Sequence, residues 1–224
     1  NITFSTTANP DFNGTETLTI TVDDGQGEDN SQASTTVEVT VTPQNDDPVL
    51  DNVADFNFNE DEPETITLSA TDTDGDDLTY TCVASDNIGC SVNGADVTFT
   101  PVEHWYGSED VTVGVQDGNG GDVTQSVTVT VNPVNDSPEI AVIDPVSFNE
   151  GDTGSATAVG SDVDGNVLSY SCTPGANIEC TVVGANITFS TTANPDFNGT
   201  ETLTITVDDG QGEDNSQAST TVEV

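Results

Sequence analysis

Residues 109–131 read EDVTVGVQDGNGGDVTQSVTVTV. Val111, Val113 and Val115 alternate with polar or small side chains, and Val127, Val129 and Val131 do the same after the interruption D-G-N-G-G. A period of two places alternate side chains on one face of an extended strand, and β-branched residues suit a half-buried pleated surface. Two such runs on either side of a Gly/Asp/Asn cluster predict strand, turn, strand. Working outward, ADVTFT (95–100), LTYTC (78–82) and ETITLSA (64–70) carry the same pattern. Helix signals are nearly absent: there is no Met, Leu is scarce, and Gly, Asp and Asn interrupt every apolar run.

The pattern recurs along the chain. Residues 1–39 and 186–224 are identical, a repeat at a spacing of 185 residues. Inside that spacing lies a weaker repeat: QNDDP (44–48) answers VNDSP (134–138), and FNEDE (58–62) answers FNEGD (148–152). ATDTDGDDLTYTC (70–82) answers GSDVDGNVLSYSC (160–172), and VQDGNG (115–120) answers VDDGQG (207–212). The chain reads as an alternating A-B-A-B array: residues 1–44 the rear half of a B unit, 45–134 a complete A and 135–224 a complete B. A half unit cannot bury a core of its own, since even a domain of about 60 residues is marginal. Residues 1–44 are therefore expected to meet a front half, from further chain upstream or, as the rival, by strand donation from a neighbouring molecule. About seven short strands per unit of roughly 90 residues, separated by turns, predict an all-β fold of tandem seven-stranded immunoglobulin-like β-sandwiches, set as beads in a rod.

Charge narrows the function. The 224 residues include 41 Asp plus Glu, no Lys, no Arg and one His, a formal charge of -41. No carboxylate has a basic side chain to pair with, and salt screens the repulsion only beyond about 8 Å. Multivalent cations are the expected source of positive charge. Such a polyanion repels nucleic acid and anionic membranes. No stretch approaches the roughly 20 apolar residues of a membrane helix, so membrane insertion is not expected. No signal peptide opens the sequence, as fits an interior piece of a longer protein.

Cys82 with Cys90 and Cys172 with Cys180 share one spacing. A disulfide across neighbouring strands of a hairpin is the reading, with an oxidising, extracellular or cell-surface location. Zinc is the rival, but the single His104 is far from both pairs and no C-x2-C occurs.

Many acidic residues sit at turns, most densely in Asp72-Thr-Asp74-Gly-Asp76-Asp77 and its counterpart Asp162-Val-Asp164-Gly-Asn166. Alternating carboxylates on a Gly turn converge oxygens on one point, as a hard cation requires. An EF-hand is excluded because the twelfth position from Asp72 is Val83. GNGGD (118–122) has the flavour of a β-roll repeat but is not iterated.

The whole chain resembles tandem cadherin-like repeats of large bacterial surface proteins. The residues that carry the resemblance are the early Glu of F-N-E (Glu60, Glu150), the D-x-D turn, the Asp of D-G-x-G (Asp117, Asp209, Asp24) and the N-D-x-P linker (Asn45, Asp46; Asn135, Asp136). The resemblance implies Ca2+ between successive repeats. One set would comprise Glu60, Asn135, Asp136, Asp162, Asp164 and Asp209, and a second Asn45, Asp46, Asp72, Asp74 and Asp117. The chain lacks the Asp-Arg-Glu segment and two-Asn linker of animal cadherins, and acidic turns near Asp11, Glu103 and Glu109 are substitute candidates.

The remaining residues point away from chemistry. Trp105 aligns with Phe197 as a core aromatic, His104 with Asp196 as a surface or calcium-rim position, and Tyr80 with Tyr170 as a residue packed beside the disulfide. A lone His with no convergent nucleophile makes no catalytic site. Asn1, Asn13, Asn186 and Asn198 head N-x-T triplets that chance explains in so Asn- and Thr-rich a chain. The expectation is a structural, non-enzymatic segment of a calcium-stiffened extracellular fibre or adhesin stalk. Its partners would be further copies of the repeat in the same chain and identical chains in a fibre. The rival is a calcium-dependent carbohydrate-binding or cell–cell adhesion module with glycan partners, disfavoured by an aromatic content of 5%.

Overall fold

The computed structural model describes residues 1–27, 31–212 and 215–224. The chain divides into two compact units, 1–132 and 133–224, and no helix occurs among the described residues.

The first unit opens with a hairpin of β1 (Gly14–Asp23) and β2 (Gln32–Val41), a two-stranded sheet. Nine strands follow: β3 (Val49–Leu50), β4 (Phe56–Asn59), β5 (Glu64–Thr67), β6 (Ala70–Thr71), β7 (Thr79–Val83), β8 (Ile88–Asn93), β9 (Asp96–Pro101), β10 (Gly107–Gln116) and β11 (Asp122–Asn132). They make sheets of order β4-β11-β10-β7 and β5-β9-β8, with β3 and β6 paired at one end. The nine reduce to seven strand positions, because the first is broken into β3 and β4 and the second into β5 and β6. Among the described residues only β4 runs parallel to its neighbour, Phe56 to Asn59 lying against Val129 to Asn132. The alternation in residues 109–131 is realised as predicted: Val111, Val113, Val127, Val129 and Val131 are buried between the sheets against Phe58, Leu68, Ile88, Val97 and Phe99. Trp105 packs on this core from the turn before β10, and His104 lies exposed beside it.

The second unit repeats the plan with β12 (Glu139–Ile140), β13 (Thr153–Thr157), β14 (Gly160–Ser161), β15 (Ser169–Thr173), β16 (Glu179–Val183), β17 (Asn186–Ser190), β18 (Thr202–Asp208) and β19 (Gln217–Glu223). Its sheets are β15-β18-β19 and β13-β17-β16, with β12 on β14. Ile187, Phe189, Leu203, Ile205 and Val222 form the centre of its core.

Both cysteine pairs are disulfides, Cys82–Cys90 and Cys172–Cys180, with Cα atoms 6.3 and 6.2 Å apart. The expected placement across a hairpin is corrected. Cys82 is on β7 and Cys90 on β8, consecutive strands that belong to different sheets and share no ladder; β15 and β16 stand in the same relation. The four residues 84–87 are enough to carry the chain across the sandwich rather than fold it back in plane. Each bridge therefore ties the edge of one sheet to the edge of the other.

Candidate functional site

The turn after β6 is shaped by Asp72. Its Oδ1 accepts the amides of Asp74, Gly75 and Asp76 at 2.9, 2.9 and 3.2 Å, and Gly75 supplies the φ of 79° that the turn needs. Bending the backbone around one carboxylate oxygen brings the side chains of Asp72, Asp74 and Asp76 together, one oxygen of each lying within 4.8 Å of the others. The linker closes on this turn: the Asp46 amide donates to Asp74 Oδ2 at 2.8 Å, and Asn45 Nδ2 donates to Asp117 Oδ2 at 2.7 Å. Asp117, buried, also takes the amides of Asn119, Gly120 and Gly121 on Oδ1. Pro48 sits so close that a Cβ on Gly121 would stand 2.6 Å from its Cδ.

The second unit reproduces the arrangement. The Asp136 amide donates to Asp164 Oδ2 at 2.8 Å, Asn135 Nδ2 to Asp209 Oδ2 at 2.8 Å, and the Asn166 amide to Asp162 Oδ1 at 3.1 Å. Thus Asn45, Asp46, Asp72, Asp74 and Asp117 converge in the first unit, and Asn135, Asp136, Asp162, Asp164 and Asp209 in the second.

Three candidates lie outside these two five-residue groups. Glu60 is buried at the end of β4, where its amide bonds Asn132 O. Its expected partners, Asn135, Asp136, Asp162, Asp164 and Asp209, belong to the second unit. Its counterpart Glu150 is exposed. Asp24, the sequence twin of Asp209, is exposed; its carboxylate accepts the Gln26 amide, its carbonyl the Gln26 side chain, and its own amide donates to Ser31 O.

Electrostatics single out the same cluster. Burial pushes the Asp46 carboxyl above its ordinary value, and Asp11, Asp74, Asp72 and Asp47 push it further. Asp117 moves the other way, held down chiefly by the Asn45 amide and then by the turn amides, against burial. The decisive atoms are Asp72 Oδ2 and Asp162 Oδ2, which are buried and accept no hydrogen bond. A buried anionic oxygen without a donor is costly, and this chain holds no Lys or Arg to supply one. Oxygens of several carboxylates aimed at one point fit a hard divalent cation.

Sequence reasoning passed over Asn119 and Gln211, and named Asp76 and Asn166 in the acidic turns without placing them in the ligand sets. Asp76 and Asn119 belong to the first cluster, joined at 2.7 Å, and Asn166 and Gln211 to the second, joined at 3.0 Å. Their matched places in D-x-D-G-x and D-G-x-G were the available signal. Glu109 is corrected from a substitute cation turn to a brace. It lies within β10 and takes the Asn87 amide and side chain at 3.0 and 2.6 Å. Glu201 does the same for Asn177 and adds the Ile178 amide at 2.9 Å. The recurring N-I-x-C and G-[ST]-E motifs marked these pairs in the sequence.

Comparison with known proteins agrees with the architecture. Human protocadherin-24 EC1-2 superposes with a TM-score of 0.51 at 16% identity, over 79% of this chain and 96% of that one. Human CDH23 EC21-23 gives 0.53 at 17% identity, over 96% and 75%. At such identities the likeness is one of fold, tandem cadherin-like β-sandwiches. Chitinase A of Pseudoalteromonas piscicida is 32% identical over 145 residues, 60% of this chain but only 17% of that protein. The family described as Bacterial Ig domain matches twice in tandem, at residues 45–130 and 135–224, well over half the chain. With two successive matches and two sandwiches of like topology, the chain belongs to the bacterial Ig domain family.

Proposed function

We propose that residues 45–134 and 135–224 are calcium-binding repeats of a non-catalytic, extracellular structural protein, with residues 1–44 the rear half of a further repeat of the second kind. The observation that carries this reading is the pair of buried, donorless oxygens Asp72 Oδ2 and Asp162 Oδ2. Asp72, Asp74, Asp76, Asp46 and Asp117 would hold the ion in the first repeat, and Asp162, Asp164, Asp136 and Asp209 in the second. Glu60 and Asp24 are further ligand positions proposed from the cadherin-like pattern. The ion supplies the positive charge that the chain lacks, and the residues hold the N-D-x-P linker against the D-x-D turn through the Asp46 and Asp136 amides and against the D-G-x-G turn through Asn45 and Asn135. A linker fixed in this way makes successive repeats into a rod, suited to a fibre or an adhesin stalk. Two disulfides and the absence of sites for trypsin-like proteases suit the same surroundings.

Calorimetric calcium titration of the 224-residue chain tests the ion directly, with Asp72→Asn and Asp162→Asn each expected to remove binding in its own unit. Electron microscopy of the native material, in millimolar calcium and after chelation, tests the rod. Straight beaded rods that soften on chelation support it, and rods indifferent to chelation refute calcium stiffening. The chitinase A match favours a second reading, in which such repeats space or anchor a secreted polysaccharide-degrading enzyme. Calcium-dependent retention of the chain on chitin would promote that reading.

A further inference from the structure

The two acidic clusters sit on matched turns but are not built alike. In the first, the carboxylates of Asp72, Asp74 and Asp76 each place one oxygen within 4.8 Å of the others, with Asp46 and Asp117 tied to the same group. In the second, Asn166 stands where the first has Asp76, so Asp136, Asp162, Asp164 and Asp209 are its carboxylates. The D-x-D turn and linker change in the same direction at two more positions, Asp47 answering to Ser137 and Asp77 to Val167. Asp208, which stands where the first unit has Gln116, does not restore the charge to the cluster, because its carboxylate is taken by the Gly210 amide and the Gln217 side chain.

What holds each cluster together differs as well. In the second, Gln211 Nε2 donates to Asn166 Oδ1 at 3.0 Å, Asn166 Nδ2 to Asn135 Oδ1 at 3.2 Å, and Asn135 Nδ2 to Asp209 Oδ2 at 2.8 Å. This relay of amides ties both turns to the linker with no ion needed. In the first, Asn119 Nδ2 donates to Asp76 Oδ2 at 2.7 Å and Asn45 Nδ2 to Asp117 Oδ2 at 2.7 Å. An ionised carboxylate has no donor, so Asp76 cannot pass the relay on to Asn45. Both clusters keep one buried oxygen that accepts no hydrogen bond, Asp72 Oδ2 and Asp162 Oδ2.

We propose, resting on the calcium-binding reading above, that the two kinds of repeat take calcium with different affinity, and that the residue at position 76 or 166 sets the difference. Affinity of an oxygen site for calcium is tuned by the charge of its ligands. Five carboxylates that repel one another gain more from a divalent cation than four accompanied by an amide already bonded on both sides. The first repeat is therefore the tight site and the second the weak one. In an alternating array the ions leave in two steps as calcium falls. Repeats of the second kind empty first, their linker still held by the relay, and repeats of the first kind empty at lower calcium, their linker then released.

Titration calorimetry of the 224-residue chain in about 0.15 M salt reads each site alone, because Asp162→Asn leaves the first and Asp72→Asn the second. The second is expected to bind at least roughly tenfold more weakly than the first. Adding Asp76→Asn to the chain that keeps the first site should weaken it by about that factor, and adding Asn166→Asp to the chain that keeps the second should strengthen it likewise. Melting scans in chelator show whether each variant is folded, and the comparison of the two single variants stands without the exchanges. Equal affinities at the two sites, or folded exchange variants whose affinities do not move, overturn the inference and leave the calcium-binding reading intact. A parent chain that takes up no calcium overturns both.

Discussion

Phe189→Ala and Phe4→Ala are the same substitution in the same 39-residue sequence, so strand propensity, local turn chemistry and the residual structure of the unfolded chain cancel between them. What remains is tertiary burial. Phe189 is fully buried in the second core, and Phe4 is 43% exposed above a groove. Truncating a fully buried Phe costs about 3–5 kcal/mol, from lost transfer energy and the cavity left behind. Truncating one already in contact with water should cost about 1 kcal/mol or less. For a unit of about 90 residues, with roughly 4–8 °C per kcal/mol, Phe189→Ala should lower the melting of the second unit by about 15–30 °C, and Phe4→Ala should leave it where it was. Scanning calorimetry of the full chain in calcium reads both variants, and Trp105 fluorescence follows the first unit independently, because that unit holds the single Trp. Should Phe189→Ala remove the second transition outright, the Trp105 signal still shows that the loss is confined to one unit. Equal shifts for the two variants would refute the argument that context, not sequence, decides this core.

Three further outcomes are expected. Calcium at a hundred times its dissociation constant should stabilise each binding unit by about 2.7 kcal/mol. Asp162→Asn should abolish that gain in the second unit yet melt higher than the parent in chelator, since it removes the charge behind a buried oxygen that has no donor; a variant that melts lower in both conditions contradicts the site. Backbone and side-chain donors hold Glu109 and Glu201 below the ordinary carboxylate value, Ser85 and Asn87 for the first, and for the second Asn177 and Ile178 against an opposing effect of burial. A depressed folded pKa means their contribution is complete above the unfolded value of about 4.3 and disappears as pH falls through the folded one. In chelator, urea midpoints of Glu109→Gln and Glu201→Gln should therefore fall less steeply than the parent's between neutral and acid pH, and parallel slopes would count against the braces. Opening Cys172–Cys180 by a double Ser substitution should cost about 2.5 kcal/mol by loop closure. Calorimetry should register the loss in the second unit alone, and the Cys82–Cys90 change in the first.

The sequence by itself determined the class of fold, because Val-x-Val-x-Val in residues 111–115 and 127–131 buries a consistent face only as strands. It determined the A-B periodicity, the pairing of cysteines and the convergence of Asp72 with Asp74, since three backbone amides within four residues bond a single Asp72 oxygen and no distant contact is required. What lay beyond it depended on which strands become neighbours across the sandwich. Cys82 and Cys90 bridge two sheets, a fact invisible to spacing because hairpins and crossovers begin with similar loops. Glu109 braces Asn87 across 22 residues, and Asn119 reaches Asp76 across 43, contacts that exist only once β10 and β7 are paired. Most plainly, residues 1–39 and 186–224 carry one message with two outcomes. Ile205 is fully buried and Ile20 only half, because burial is a property of the surface that meets a strand, and that surface is encoded elsewhere in the chain.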